Sequence, residues 1–261
     1  TGTNGKGSVA EMCSHILIKA GYKVGTFTSP YIVEYSDRIR INGQNIPNDE
    51  LCEIVWQIKE KISLLEYQSH FSQFEISTAI AFLYFAKQHC DIVVLEVGIG
   101  GKLDSTNVIK FPVVSVITSI SYDHTAILGG TLEEIAAQKA GIIKKNCPCV
   151  LSADNPSEVV EVVQKAANAM HSTFVIPDVK GLKVISSDIY GSKFTYNHSS
   201  FVASMAGRHQ ITNAITVIEA MKFVRNAGFV VRQLDIERGI KNARVFVRAE
   251  VISQEPLIII D

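Results

Sequence analysis

The sequence predicts an α/β fold in which a mainly parallel sheet is flanked by helices and accompanied by a small antiparallel β patch. A glycine-rich turn at residues 1–8 leads directly into a helical pattern, and short β-rich apolar runs then alternate with helical periodicity. Residues 182–205 change to a strand pattern with turn residues at 190–192 and 197–198. Alternating strands and helices are typical of βαβ units, whose parallel strands are covered on both faces.

The first element is a turn with the chemistry of a phosphate-binding loop. Its glycines allow successive N–H groups to point at one anion, and the helix that follows adds its positive N-terminus. Lys6 supplies a mobile cation, and the Ser8 hydroxyl is suited to Mg²⁺. We therefore expect ATP or GTP phosphates to be bound by Thr3, Asn4, Gly5, Lys6, Gly7 and Ser8. The alternative is an ordinary glycine-rich turn at a helix start.

The complete loop pattern has one more glycine, which falls before Thr1, and it normally follows a buried strand. We therefore expect this sequence to be a fragment of a longer protein that lacks the first strand. At the other end, an apolar run finishes in Asp261. This pattern predicts one ATP-binding domain over residues 1–255 and, over residues 256–261, the start of a C-terminal domain that is absent from the chain.

The remaining elements follow from periodicity and capping signals. Apolar residues between Val9 and Ala20 lie on one helical face, and Gly21 ends that helix. Ser72-x-x-Glu75 and Thr131-x-x-Glu134 are capping boxes that begin two later helices. The predicted strands are 23–28, 91–97, 113–118, 149–151 and 173–176, and the predicted later helices are 48–67, 72–88, 131–141, 209–227 and 231–240.

Composition limits the partners and the compartment. The net charge is −1 with no long charged run, so we expect no nucleic acid and no membrane surface as a partner. Five scattered cysteines cannot all pair with one another, which favours a reducing cytoplasm. No apolar run approaches the ~20 residues that cross a bilayer.

Polar residues at the predicted strand ends are the candidate site, because ligands of open α/β sheets bind outside the carboxyl ends of the strands. Ser29 follows the first predicted strand and either ligates a metal or caps a turn. Glu96 interrupts a buried apolar run, so it is either a Mg²⁺ ligand or half of a buried ion pair. Asp123-His124 follows the third strand, where metal binding and a structural role are both open. Lys139 either places a charge at a helix C-terminus or is a desolvated amine suited to carbamylation.

Taken together, several motifs resemble the folylpolyglutamate synthase and dihydrofolate synthase family, within the wider group of Mur-type ATP-dependent amide ligases. They are TGTNGKGS at 1–8, FTSPYI and DRIRING within 27–43, LEVGIGGKLDSTN at 95–107, SYDH at 121–124, LGGTLEEIAAQKAGIIK at 128–144 and GRHQITNA at 207–214. The resemblance covers essentially the whole chain. It implies that ATP activates a folate or dihydropteroate carboxylate as an acyl phosphate, which the amine of L-glutamate then attacks.

The resemblance also assigns roles to individual residues. It implies Mg²⁺ held by Ser8, Ser29, Glu96 and His124, and a second metal ion held with the help of a carbamylated Lys139. His209, Gln210 and Asn213 look like the adenine-side motif, and Asp261 looks like the first residue of the segment that opens the glutamate-binding domain. The pterin would lie near Ser29, Pro30, Phe74 and Glu75, and the catalytic residues implied are Lys6, His124, Lys139 and Arg248. A monomer is implied as well.

One segment departs from the family pattern. The family has a Trp-Pro-Gly-Arg turn at the place where this chain reads Arg244-Val245-Phe246-Val247-Arg248. Arg248 is in register with the family arginine that reaches the nucleotide, but the alternating apolar residues predict an extended strand. A non-catalytic nucleotide-binding module is therefore the alternative to the ligase. A ligase of cell-wall precursors is a third reading, which would usually carry Gly-Lys-Thr-Thr in its loop.

Overall fold

The fold was obtained as a computed structural model, which describes residues 1–65, 70–247 and 250–260. In this part of the chain the helices are α1 (Lys6–Lys19), α2 (Asn48–Ser63), α3 (Gln73–Lys87), α4 (Thr125–Leu128), α5 (Leu132–Ala140), α6 (Ser157–Ala169), α7 (His209–Asn226) and α8 (Gln233–Asn242). The strands are β1 (Val24–Phe27), β2 (Ile39–Ile41), β3 (Gln44–Asn45), β4 (Ile92–Leu95), β5 (Ser115–Ile117), β6 (Cys149–Leu151), β7 (Phe174–Val175), β8 (Leu182–Asp188), β9 (Gly191–Tyr196), β10 (Ser199–Ala203), β11 (Glu250–Gln254) and β12 (Leu257–Ile260).

Two sheets form the centre of the fold. The first has the strand order β3-β2-β1-β4, in which β1 and β4 are parallel, and the second has the order β5-β6-β7 with all strands parallel. The chain start lies along β5, because the Thr1 amine donates to Val116 O (2.9 Å) and Thr118 N–H donates to Thr1 O (2.8 Å). The carboxyl ends of β1, β4 and β5 therefore lead into the segments that surround residues 1–8.

The α/β prediction is confirmed, and each predicted strand is present. The β2–β3 hairpin was not predicted, and β2 runs antiparallel to β1, so the first sheet is mixed. Strands of two or three residues are too short to show a clear alternating pattern. The small antiparallel patch is also confirmed, since β8, β9 and β10 form a sheet of order β10-β9-β8.

Local signals explain where the helices begin. The Ser72 hydroxyl accepts from Glu75 N–H, and the Glu75 carboxylate accepts from Ser72 N–H, which forms the predicted capping box of α3. Thr131 and Glu134 do the same for α5. The predicted end of α2 near residue 67 lies outside the described residues, and the helix as described ends at Ser63.

Three apolar clusters make up the core. One joins α1, α7 and α8 to β9 and β10, a second packs α5 and α6 on β5 and β6, and a third packs α2 and α3 on β1 and β2. The first cluster fixes α1 and α7 against each other, so the residues at their N-termini meet at one edge of the molecule.

The segment that follows α8 corrects one prediction. An extended strand was expected over residues 244–248, but the described part has a turn at Phe246 and Val247, and Val247 has a φ of 54°. Val247 N–H donates to the Glu250 carboxylate at 3.2 Å, which holds the turn ahead of β11. Strands β11 and β12 then pair as an antiparallel hairpin, and the predicted domain boundary after residue 255 falls in its turn. Among the described residues, no helix has the length and apolar character that crossing a bilayer requires.

Candidate active site

Residues 1–8 form a turn that closes onto the N-terminus of α1. Gly5 precedes the helix with a φ of 85°, a left-handed conformation that glycine adopts without steric cost. Within the described part of the chain no side chain caps α1. The first backbone N–H groups of this helix are therefore available to an anion, as the sequence predicted.

One side of this loop is fastened by residues 118–121, which follow β5 and are called the β5 side here. Thr3 N–H donates to Ser119 O (2.7 Å), and the Thr3 hydroxyl donates to Ser121 O (3.0 Å). Thr118 Oγ1 donates to Asn4 O at 2.6 Å. Most of these bonds use a main-chain atom of the loop or of its neighbour, so they position the loop backbone.

The opposite side of the loop is fastened by Gln210 and Asn213 of α7, called the α7 side here. Gln210 Nε2 donates to Ser8 Oγ (3.1 Å), and Asn213 Nδ2 donates to Gln210 Oε1 (3.0 Å). A Cβ built on Gly5 would lie 2.5 Å from Asn213 Oδ1, so Asn213 packs directly on the loop. His209 lies at the start of the same helix and lines the same cleft.

Two lysines share one acceptor in the loop. Lys6 Nζ donates to Gly2 O (3.0 Å) and to Thr3 O (3.0 Å), while Lys139 Nζ donates to Gly2 O (2.8 Å) from the other side of the loop. Lys139 is 2% exposed, and burial, followed by the nearby charge of Lys6, lowers its pKa to about 8. Of the two sequence interpretations, the desolvated amine describes Lys139 better than a solvated charge at a helix end.

Glu96 follows β4 and faces the start of α1. It is 6% exposed, its Oε2 accepts from Ser29 N–H (3.1 Å), and a Cβ built on Gly7 would lie 3.8 Å from the same oxygen. Burial raises the pKa of Glu96 above the usual carboxyl range, against the opposing effects of Ser29 N–H and Lys6. Among the described residues no cation forms a salt bridge with Glu96, so the ion-pair alternative is not supported.

His124 precedes α4 in a left-handed backbone conformation, with a φ of 48°. Such a conformation is costly for a residue with a Cβ and is found preferentially at functional sites. The imidazole is 47% exposed and lies 3.6 Å from the Asp123 carboxylate, measured from Nε2 to Oδ1. It faces the cleft that the loop and Glu96 also line.

These groups surround a cleft of about 1150 Å³. The structure brings together in its walls most of the predicted site residues, namely Thr3, Asn4, Gly5, Lys6, Gly7, Ser8, Ser29, Pro30, Glu96, His124, His209 and Asn213. Lys139 does not line the cleft, because it reaches the loop from behind.

The donor set fits magnesium bound together with phosphate. Mg²⁺ prefers oxygen ligands and is usually held by one or two carboxylates plus substrate phosphates. The buried Glu96 carboxylate and the Ser8 hydroxyl supply such oxygens on facing elements. In the described part of the chain, no cluster of three or more His, Cys, Asp or Glu side chains is placed to hold a metal ion. A metal here would therefore depend on hydroxyl and phosphate oxygens.

Two predicted substrate residues lie apart from the cleft walls. The Phe74 ring covers Gly98, a cleft residue, since a Cβ built there would lie 2.7 Å from Phe74 Cζ. Glu75 is exposed, and Ser72 donates both its N–H (2.8 Å) and its hydroxyl (2.7 Å) to Glu75 Oε2. These hydrogen bonds lower the pKa of Glu75. The carboxylate therefore caps α3 in this structure.

Some of the predicted site residues near the C-terminus line the cleft, and others lie outside the described residues. Residues 244–247 line the cleft, so the altered segment does reach the site. Arg248 and Asp261 lie outside the described residues. Gln210, which the resemblance places on the adenine side, contacts Ser8 in the phosphate loop.

Two features of the site were missed. Glu11 of α1 forms a salt bridge with Arg40 of β2 in the cleft wall, and the charge at position 11 within an apolar helix face was the available signal. Asn155 accepts from Ile120 N–H (2.8 Å) and donates to Thr118 O (3.2 Å). These two bonds hold the backbone of the β5 side in place. The position of Asn155 in the Asp154-Asn155-Pro156 turn after β6 was the available signal.

Known proteins are similar to this sequence over its whole length. A dihydrofolate synthase/folylpolyglutamate synthase from Bacillus subtilis is 37% identical over 277 residues, covering 100% of this chain and 62% of the relative. A folylpolyglutamate synthase from Lacticaseibacillus casei is 35% identical, covering 100% of this chain and 63% of the relative. The chain thus spans less than two thirds of the length of both relatives.

Solved structures share the fold. An FPGS–AMPPCP complex superposes with a TM-score of 0.91 at 33% identity, covering 100% of this chain and 66% of that one. An Escherichia coli FolC structure in complex with DHPP and ADP gives a TM-score of 0.85 at 30% identity, covering 100% of this chain and 60% of that one. The resemblance drawn from the motifs is confirmed by these matches.

A family model also matches this chain. The model for the Mur ligase middle domain matches residues 1–221, which is most of the chain. This chain therefore belongs to the Mur ligase middle domain family.

Proposed function

We propose that this chain is the ATP-binding part of an ATP-dependent ligase that adds L-glutamate to a folate or dihydropteroate carboxylate. The observation that carries the proposal is the convergence of the phosphate loop, Ser29, Glu96 and His124 on one cleft, with Lys139 behind the loop. The similarity to folylpolyglutamate and dihydrofolate synthases supports the substrate class.

The nucleotide is assigned to the loop and to α7. The loop residues Thr3, Asn4, Gly5, Lys6, Gly7 and Ser8 hold the triphosphate through backbone N–H groups and the Lys6 amine. His209 and Asn213 lie on the adenine side. Asp261 is a further predicted nucleotide contact.

The metal residues are Ser8, Ser29, Glu96 and His124, with Lys139 toward a second ion. Bound Mg²⁺ would neutralise charge on the phosphoryl group during transfer. A pKa of about 8 leaves part of the Lys139 amine uncharged near neutral pH, and the uncharged amine is the form that reacts with CO₂. This supports carbamylation of Lys139.

The proposed reaction has two steps. A carboxylate oxygen of the folate substrate attacks the terminal phosphorus of ATP, the bond to the ADP oxygen breaks, and an acyl phosphate forms. The glutamate ammonium loses one proton and its amine attacks the acyl carbon. The bond from this carbon to the phosphate oxygen breaks, phosphate leaves, and the nitrogen releases a second proton as the amide forms. Lys6 and the loop N–H groups stabilise the negative charge in the first step, and the cleft walls limit access of water to the acyl phosphate.

The remaining assignments are proposals of the same kind. The pterin lies near Ser29, Pro30 and Phe74, with Glu75 as a further candidate, and Arg248 joins Lys6, His124 and Lys139 as a catalytic residue. Residues 1–255 form the ATP-binding domain, and residues 256–261 begin the glutamate-binding domain. The protein acts as a monomer in the cytoplasm on small molecules.

The test is incorporation of radiolabelled glutamate by the complete gene product that contains this chain. We expect Mg-ATP-dependent incorporation into dihydropteroate or into a reduced folate, and loss of incorporation in Lys6→Ala. Folded protein that binds ATP but incorporates no glutamate into either substrate would refute the ligase and support the non-catalytic module.

A further inference from the structure

We propose that Gln210 is a positioning residue that holds the Ser8 hydroxyl toward a magnesium-bound phosphate. The inference rests on the proposed function, because it concerns how the loop serine is presented to that ligand. It departs from the adenine-side role that the sequence resemblance implies for Gln210.

The two hydrogen bonds of the Gln210 amide determine which of its ends faces Ser8. Asn213 Nδ2 donates to Gln210 Oε1 at 3.0 Å, so the oxygen end of the amide is occupied by a donor. The nitrogen end then faces Ser8 and donates to its Oγ at 3.1 Å. The Asn213 amide thus sets the orientation of Gln210, and Gln210 in turn sets the position of the serine oxygen.

The surroundings of Ser8 leave the rest of its hydroxyl for a ligand. Within the described residues, the bond from Gln210 is the one hydrogen bond that Ser8 Oγ makes. A serine oxygen has two lone pairs and one proton, so a second lone pair and the proton remain unused. Because Ser8 lines the cleft beside Gly7 and Glu96, these unused positions lie where phosphate and metal are proposed to bind.

Burial makes the contact specific. Gln210 is 2% exposed and Ser8 is 8% exposed, so water does not readily replace the amide. Each end of the Gln210 amide already makes one hydrogen bond to a protein group, which fixes the plane of the amide. A serine without this donor is free to sample its other side-chain rotamers, which move its oxygen away from the position that Gln210 holds.

We expect the loss of nucleotide affinity to be confined to nucleotide that binds together with Mg²⁺. Residues that orient a metal ligand typically change metal affinity about 10-fold to 100-fold when they are removed. Gln210→Met keeps the length of the side chain and removes the donor. We therefore expect it to weaken binding of a non-hydrolysable ATP analogue about 10-fold with Mg²⁺ and less than about 2-fold with EDTA.

The experiment is a calorimetric titration of the complete gene product that contains this chain with AMPPCP, with Mg²⁺ and with EDTA. Gln210→Asn is a second variant that keeps an amide but withdraws it from Ser8, and it should show the same Mg²⁺-dependent loss. Thr216→Val is the matched control, because Thr216 is a fully buried polar residue of the same helix that bonds Thr212 O and Ser152 Oγ instead of the loop. We expect the control to leave both affinities unchanged.

A double variant tests the route of the effect. If Gln210 acts through Ser8, then adding Gln210→Met to Ser8→Ala should weaken Mg²⁺-dependent binding no further than about 2-fold. Equal losses with Mg²⁺ and with EDTA, or fully additive losses in the double variant, would overturn the inference. A wild-type complete gene product that binds no nucleotide at all would refute the proposed function as well, whereas wild-type binding that Gln210→Met leaves unchanged would refute this inference alone.

Discussion

The two sides of the phosphate loop are held by different kinds of contact. On the β5 side, most bonds involve a main-chain atom of the loop or its neighbour, as in the bond from Thr3 N–H to Ser119 O. On the α7 side, the bonds run between side chains, from Asn213 to Gln210 and from Gln210 to Ser8. This difference suggests that the β5 side sets where the loop lies, and that the α7 side sets how its functional groups are presented.

The largest expected effect comes from breaking the α7 side with Gly5→Ala. The new methyl would meet Asn213 Oδ1 at 2.5 Å on a residue whose φ is 85°, so both contact and backbone oppose it. Relief of the contact requires Asn213 or the loop backbone to move, and this displaces the loop N–H groups that would face phosphate. We expect Mg-AMPPCP affinity to fall about 100-fold in a calorimetric titration, a difference of about 3 kcal/mol.

The matched control for this prediction is Gly21→Ala. Gly21 has a φ of 95°, but a Cβ there would meet nothing within 4 Å, so it carries the backbone strain without the contact. We expect a loss of about 1 kcal/mol in stability and unchanged nucleotide affinity. Equal nucleotide affinity in the two variants would contradict the role given to the α7 side.

The second prediction concerns Lys139, which supports Gly2 from behind the loop. Burial of its charge costs stability, and Lys6 still donates to Gly2 O (3.0 Å) when the Lys139 amine is removed. We therefore expect Lys139→Met to raise the free energy of unfolding of the nucleotide-free chain by about 2 kcal/mol at pH 7, although it removes a proposed catalytic group. Thermal unfolding in CO₂-free buffer measures the change.

The stability of the chain should depend on pH through the charge of Lys139. Its pKa is about 8 in the fold against 10.5 in the unfolded chain, so the unfolded chain binds more protons between these values. Wild-type stability should therefore rise from pH 8 toward pH 10.5, and the advantage of Lys139→Met should shrink over the same range. The exposed Lys145→Met is the control, and a pH-independent difference for Lys139→Met would contradict the prediction.

The third prediction weakens the β5 side through Asn155→Ala. Ile120 N–H is left without the Asn155 acceptor (2.8 Å), and Thr118 O loses a donor (3.2 Å). We expect a loss of about 1 to 2 kcal/mol in stability by denaturant unfolding, and a smaller effect on nucleotide affinity than Gly5→Ala has. Asn168→Ala is the control, because its hydrogen bond to Gln164 is on the surface. A loss of nucleotide affinity as large as that of Gly5→Ala would remove the distinction between the two sides.

The smallest effect is expected from Thr3→Val. The Thr3 hydroxyl donates to Ser121 O (3.0 Å) and accepts from Ser121 N–H (3.1 Å), and both bonds are exposed. We expect a loss of about 0.5 to 1 kcal/mol in stability, with Thr3→Ser close to wild type. A larger loss would mean that side-chain bonds dominate on the β5 side too.

The sequence predicted the parts of the molecule that local chemistry determines. The glycines of the loop, the capping box at Ser72 and the longer apolar runs each specify their own conformation, so the parallel strands, the capped helix starts and the convergence at the strand ends were foreseeable. The β2–β3 hairpin and the helices α4 and α6 were not among the predicted elements. The Gln210–Ser8 contact was not, because it joins residues 202 positions apart through the packing of α1 on α7. Nor was the turn at Val247, where the alternating pattern indicated a strand and the short connection from α8 to β11 required a bend.

The carbonyl of Gly2, which accepts hydrogen bonds from two lysines, connects the cleft to Lys139 behind the loop. Both lysine amines donate to this one oxygen, and the positive charge of Lys6 helps to lower the pKa of Lys139. A polyanion that draws the Lys6 amine away from Gly2 O removes that repulsion and leaves this carbonyl oxygen to Lys139. We therefore expect the proton affinity of the Lys139 amine to increase when a polyanion occupies the cleft, even though the loop separates this amine from the cleft.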